Sequence, residues 1–169
     1  MPKDDQVPGP QDYVDHLNLI PHPEGGFYKE TYRGNDTVEL ASFEGPRNVC
    51  TGIYYLLQHG HFSAFHRIKS DEMWHFYDGT DLSVYVIYPD ALLRVIKLGR
   101  NIKEGEVLQA VVPAGCWFAS RVEQEEGFAL AGCTVAPGFD FQDFEMAGRK
   151  ALVKEYPQHK TLITQLTRA

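Results

Sequence analysis

Gly60, His66, Glu72 and Gly79 stand in a fixed frame: glycine, five residues, histidine, five residues, glutamate, six residues, glycine. Imidazole and carboxylate are the side chains most used to move protons near neutral pH, and both also ligate divalent ions. His66 and Glu72 are therefore the candidate catalytic pair, and a metal, if one binds, would start from the same two residues. The bland alternative is a buried hydrogen-bonded pair that ties adjacent strands, since buried polar groups must find partners. Cost favours a working site: a carboxylate enclosed among Phe62, Ile68, Trp74 and Phe118 loses hydration, a penalty an apolar residue would avoid. Tyr28, Tyr54, Phe62, Trp74 and Phe118 supply apolar faces for a small ligand beside the pair.

Strands must position these residues. Between Val49 and Gly138 short β-rich runs alternate with turn residues, and no segment is long and periodic enough for a substantial helix. Strands are predicted near Val49–Leu57, Phe62–Ile68, Glu72–Tyr77, Leu82–Tyr88, Arg94–Leu98, Val107–Val112, Trp117–Val122 and Phe128–Ala136, preceded by one over Phe27–Arg33. Without crossover helices this is an all-β sandwich or barrel. Alternation puts Glu72, Trp74 and Phe76 on one face with His75 on the other, and alternation from His66 turns Ala64 and Phe62 inward. Helical spacing of Tyr13, Val14 and Leu17 predicts one short helix over Gln11–Leu19, stopped by Pro21 and Pro23. Asp140 can cap a turn holding Phe141 and Phe144; a helix over Arg149–Tyr156 halts at Pro157, and a second places Leu162, Ile163 and Leu166 on one face. The expected organisation is a flexible tail over residues 1–9 and a single domain over 10–169, with the barrel at about 27–138 and a helical tail over 139–169.

The 169 residues suffice for one core, and 43% hydrophobic content is that of a folded globular chain. With 16 Lys and Arg against 23 Asp and Glu the formal charge is -7, which argues against nucleic acid as a partner. Cys50, Cys116 and Cys133 form no CxxC pair and read as buried thiols. No apolar run reaches membrane-spanning length and the first twenty residues lack a signal-peptide core, so a cytoplasmic location without membrane contact is expected. Ser63 and Ser70 lack a nucleophile elbow, and no phosphate loop or dinucleotide fingerprint is present. Glu24, Glu30, Arg33 and Arg47 lie near strand ends, where a buried ion pair could orient a ligand but a solvated surface pair is the more frequent outcome.

The frame from Gly60 to Gly79, followed by Pro113-Ala114-Gly115 and Cys116-Trp117-Phe118, resembles the two motifs of the cupin superfamily. The segments HPEGGFYKETYR (residues 22–33), SDEMWHFYDG (70–79) and TVAPGFDFQDFE (134–145) are similar to a small single-domain cupin subfamily of unassigned function. That resemblance implies a double-stranded β-helix, a jelly-roll barrel, here with a short N-terminal helix and C-terminal helices. It also implies a metal held by three histidines and a carboxylate, but the second and third histidine positions are Ile68 and Phe118. No tightly bound metal or other cofactor is therefore expected. The chain further resembles the metal-independent deoxysugar epimerase branch, in which His66 would act as base and Glu72 would orient it. The reading that follows is a small-molecule-binding cupin, an isomerase or epimerase of a carbohydrate-like metabolite. Its alternatives are a non-catalytic binding or sensing cupin and a metal-dependent enzyme with unusual ligands. Small cupins usually pair, so a homodimer is expected, through the strand opened by Phe27 or the C-terminal helices.

Overall fold

Runs too short to bury themselves alone fold as two facing antiparallel sheets. A computed structural model describes residues 6–169; of the expected tail, residues 1–5 lie outside the described residues. The first sheet has the order β1 (Ile20–Pro21), β2 (Phe27–Arg33), β5 (Thr51–Gln58), β12 (Phe128–Ala136), β7 (Asp71–Gly79), β10 (Gln109–Val112). The second runs β13 (Glu145–Met146), β6 (Phe62–Arg67), β11 (Trp117–Arg121), β8 (Leu82–Ile87), β9 (Leu93–Leu98). A separate ribbon pairs β3 (Thr37–Val38) with β4 (Arg47–Asn48). This is the expected jelly-roll barrel. Tyr55, Leu57 and Trp74 from the first sheet meet Val84, Val86, Leu98 and Phe118 from the second to form the main core.

Among the described residues three short α-helices, α1 (Pro10–His16), α2 (Arg149–Glu155) and α3 (Lys160–Gln165), flank the barrel. Pro10 opens α1, where a missing N–H costs nothing. The helix is shorter than its periodicity suggests, because Asn18 takes a left-handed φ of 54° and the chain then extends into β1 against β2. At the other end Leu152, Ile163 and Leu166 pack on the outer face of the second sheet, over Phe65, Trp117 and Ala119. Burying each large apolar side chain there contributes roughly 1.5–3 kcal/mol, which explains why so short a helical tail docks at all. No helix among the described residues is long and apolar enough to cross a membrane.

Two departures from simple alternation bear on the site. Between the β6 and β11 pairs His66↔Phe118 and Ser63↔Ser120, β6 advances three residues while β11 advances two. This bulge reverses parity, so Phe62 joins Phe65 on the outer face instead of following His66 inward. The strand expected from Val107 also begins late, at Gln109, Val107 contributing only a bridge to Leu98.

Candidate functional site

A cavity of about 50 Å³ opens between the sheets. β2 contributes Tyr28 and Glu30, β5 Thr51 and Ile53, β6 His66, β7 Glu72, and β12 Cys133 and Val135. Ile68 follows β6, while Phe139 and Phe144 come from the segment after β12. The remaining lining residues, His22 and Glu24, belong to the turn between β1 and β2.

That turn is built around two glycines. Gly25 and Gly26 have φ of 115° and 76°, and a Cβ on Gly25 would lie 2.0 Å from the Phe62 carbonyl oxygen. Only glycine fits so close an approach in the left-handed region. The Ala64 N–H donates to the Glu24 carbonyl at 2.9 Å and the Tyr55 hydroxyl to the Gly25 carbonyl at 2.6 Å, fixing the turn over β6. Glu24 is thereby buried with its Oε2 2.8 Å from His66 Nε2.

His66 has both nitrogens engaged. Its Nδ1–H donates to the Ala64 carbonyl at 2.7 Å, because a carbonyl can only accept, and its Nε2–H then points at the Glu24 carboxylate. Burial opposes the imidazolium, but the Glu24 charge and hydrogen bond outweigh it and raise the histidine above its ordinary value. Burial likewise opposes charge on Glu24, and the imidazolium overcomes it to hold the carboxyl below its usual range. The pair is a buried imidazolium–carboxylate. Phe144 stacks on the His66 ring with centroids 5.2 Å apart and Phe118 lies 4.1 Å away, so aromatic faces surround the cation.

His22 is held in the opposite state. Its Nδ1 accepts from the Glu24 N–H at 3.1 Å, which leaves the proton on Nε2. Burial lowers its affinity for a second proton against the pull of Glu24, so the ring stays neutral with an Nε2–H donor that has no partner among the described residues.

Glu72 lies on β7 between Val112 and Val135 of the neighbouring strands and is 8% exposed. Burial raises its carboxyl to about 7, Glu24 adding to the rise and His66 opposing it. The Cys133 thiol, a weak donor, is its hydrogen-bonding neighbour, and burial pushes that thiol well above its ordinary range. A carboxyl that exchanges its proton near neutral pH is thus set beside a fixed cation and a neutral donor.

His66, Glu72 and Tyr28 come together at the cavity as the sequence predicts; the other aromatic candidates do not line it. Tyr54 alternates out of β5 toward Tyr77 and the α1 side, Tyr55 taking the inward position. Phe62 is displaced by the bulge and lies under the Arg168 guanidinium. Trp74 is packed in the core against Tyr55 and Phe118. Phe118 supports the His66 ring without reaching the cavity. The expected pairing of His66 with Glu72 is also corrected: Glu24 holds the imidazole. Glu24 and Arg47 are buried, not solvated, whereas Glu30 and Arg33 form the expected surface pair. Arg47 grips Asp143 with two bonds of 2.7 and 2.8 Å and fastens the Phe139–Phe144 segment over the cavity. Cys116 and Cys133 are buried as expected, but Cys50 is only half-buried.

The donor set does not fit a metal. Glu24 Oε2 and His66 Nε2 are committed to each other, Ile68 and Phe118 are hydrocarbon, and no group of three or more His, Cys, Asp or Glu converges among the described residues.

Residues 11–147 match the family described as Cupin superfamily (DUF985). An uncharacterized protein of Saccharomyces cerevisiae is 35% identical over 150 residues, covering 79% of this chain and 72% of the yeast protein. Among solved structures, a protein from Shewanella oneidensis is 41% identical with a TM-score of 0.88, covering 96% of this chain and 99% of that one. A hypothetical protein from Leishmania major is 34% identical with a TM-score of 0.89, covering 94% of this chain and 98% of that one. Family match, sequence relatives and fold agree, and the chain belongs to the DUF985 family of the cupin superfamily.

Proposed function

We propose that the chain is a metal-independent cupin enzyme that moves a proton on a small carbonyl-bearing metabolite, in an isomerase- or epimerase-type reaction. The observation that carries this reading is the placement of Glu72, a buried carboxyl that lines the cavity with Tyr28, His22 and the Glu24–His66 pair and whose burial raises its pKa to about 7. Its carboxylate takes a proton from the carbon next to a carbonyl and its carboxyl returns one to the resulting enediolate, so no oxidant or reductant is needed. The reading moves the base from His66 to Glu72, since His66 has no free lone pair. The His22 Nε2–H and the Tyr28 hydroxyl are the donors for the developing oxyanion, while the Glu24–His66 ion pair stays fixed in the cavity wall.

Deuterium exchange into candidate hydroxy-carbonyl compounds, followed by proton NMR in heavy water, tests the assignment. Glu72→Gln should abolish exchange while leaving the fold unchanged by circular dichroism; exchange at the wild-type rate would refute it. A homodimer is part of the proposal, supported by the exposed residues 29–33 of β2, which β1 does not pair, and by Tyr32 among them, which is 56% exposed. Sedimentation showing only monomer at micromolar concentration would remove that part.

A further inference from the structure

We infer that the cavity accepts an uncharged hydroxy-carbonyl compound of a few heavy atoms and rejects phosphorylated or carboxylated ones. This deepens the proton-transfer reading and rests on it. Three features of the lining lead to it.

The first is charge. Among the described residues Glu24, Glu30 and Glu72 line the cavity and no lysine or arginine does. The imidazolium of His66 is already neutralised by Glu24 at 2.8 Å, with both of its N–H groups in use. Toward the mouth, Arg33 is equally committed. Its Nε and Nη2 bond Glu30 at 3.3 and 2.6 Å, its Nη1 bonds Asn48 at 2.8 Å, and Nη2 also reaches the Phe139 carbonyl at 3.0 Å. Arg47 is held by Asp143 and by the Glu44 and Pro46 carbonyls. An anionic group entering here would leave water, meet carboxylates and find both of these guanidinium groups already taken.

Hydrogen bonding points the same way. The cavity offers donors in the His22 Nε2–H and the Tyr28 hydroxyl. Thr51 accepts from the Phe139 N–H at 2.9 Å, so its own hydrogen is available to an incoming oxygen. The acceptors are Glu24 Oε1 and the Glu72 carboxyl, which at neutral pH serves in either role. Mixed neutral donors and acceptors match hydroxyl and carbonyl groups.

Size is the third feature. A cavity of about 50 Å³ is small and limits the ligand to a compound on the order of a few heavy atoms. Ile53, Ile68, Val135 and the rings of Phe139 and Phe144 close the remaining walls.

Ligand-observed saturation-transfer NMR on the full chain tests the inference with dihydroxyacetone and glyceraldehyde against dihydroxyacetone phosphate and pyruvate. Saturation transfer to the two uncharged compounds, with the phosphate and the carboxylate at least about tenfold weaker, is expected. Equal or tighter binding of dihydroxyacetone phosphate or pyruvate would overturn the inference, as would no binding of either uncharged compound. The same samples in heavy water separate the two readings. Uncharged compounds that bind but gain no deuterium remove the proton-transfer reading while the ligand class stands. Exchange that prefers the phosphate removes the ligand class while the chemistry stands.

Discussion

Replacing Glu72 with glutamine should stabilise the protein, increasingly so as pH rises from about 4.5 to 7. The native carboxyl keeps its proton to about 7, whereas in the unfolded chain it titrates near 4.5. Between those values the native state binds more protons than the unfolded state, so stability falls as pH increases. Above the window the penalty is complete. A difference of about 2.5 pKa units at 1.36 kcal/mol each is about 3 kcal/mol, and the side chain is buried enough that little screening reduces it. The glutamine side chain has no proton to lose and keeps nearly the same shape. The Glu24–His66 pair titrates in both proteins, so its contribution largely cancels in the comparison, apart from its Coulomb coupling to Glu72. Urea unfolding of both proteins at pH 4, 6 and 8 measures the effect. For a chain of this size the advantage of Glu72→Gln over wild type corresponds to a Tm difference roughly 6–12 °C larger at pH 8 than at pH 4. A stability difference that is flat with pH, or that grows toward acid, would show that Glu72 is not a buried carboxyl with a raised pKa.

Three other outcomes follow from the same geometry. Glu24→Gln leaves a buried imidazolium without its counter-charge, so His66 should lose its proton at lower pH by NMR titration, with about 3–5 kcal/mol of stability lost at neutral pH; an unshifted titration would contradict the pairing. Gly25→Ala forces a methyl to within 2.0 Å of the Phe62 carbonyl in a left-handed conformation and should cost more than about 1 kcal/mol in denaturant unfolding, with the His66 titration altered as the turn moves. Under a limiting thiol reagent, mass spectrometry should find Cys50 labelled before Cys133, since burial beside Glu72 keeps the latter thiol protonated.

The barrel was legible because its strands are short, alternating and broken at glycines, and a period of two needs no knowledge of partners. Glu72, Trp74 and Phe76 against His75 is that rule working: Trp74 and Phe76 pack in the core while His75 turns to Thr134 on the outer side. The same rule misplaced Phe62, because the extra residue between Ser63 and His66 becomes visible only once β11 lies beside β6. Tyr54 and Tyr55 adjoin in sequence, and which one faces inward is set by pairing across β2 and β12. Glu24 reads from the sequence as half of a solvated surface pair, and its burial was not legible for another reason. It belongs to a turn with no periodicity, and its partner lies far along the chain. The signal available was the pair Gly25-Gly26 directly after it, a mark of tight backbone approach.

Clasped between Phe118 and Phe144 and neutralised by Glu24, the His66 ring gives the protein an ion-paired centre made wholly of covalent chain. Such a centre cannot be stripped by chelators or exchanged for a competing ion. Its vulnerability lies in acid: the arrangement dissolves when Glu24 takes up a proton, which the imidazolium itself postpones to more acidic conditions than a free glutamate would tolerate.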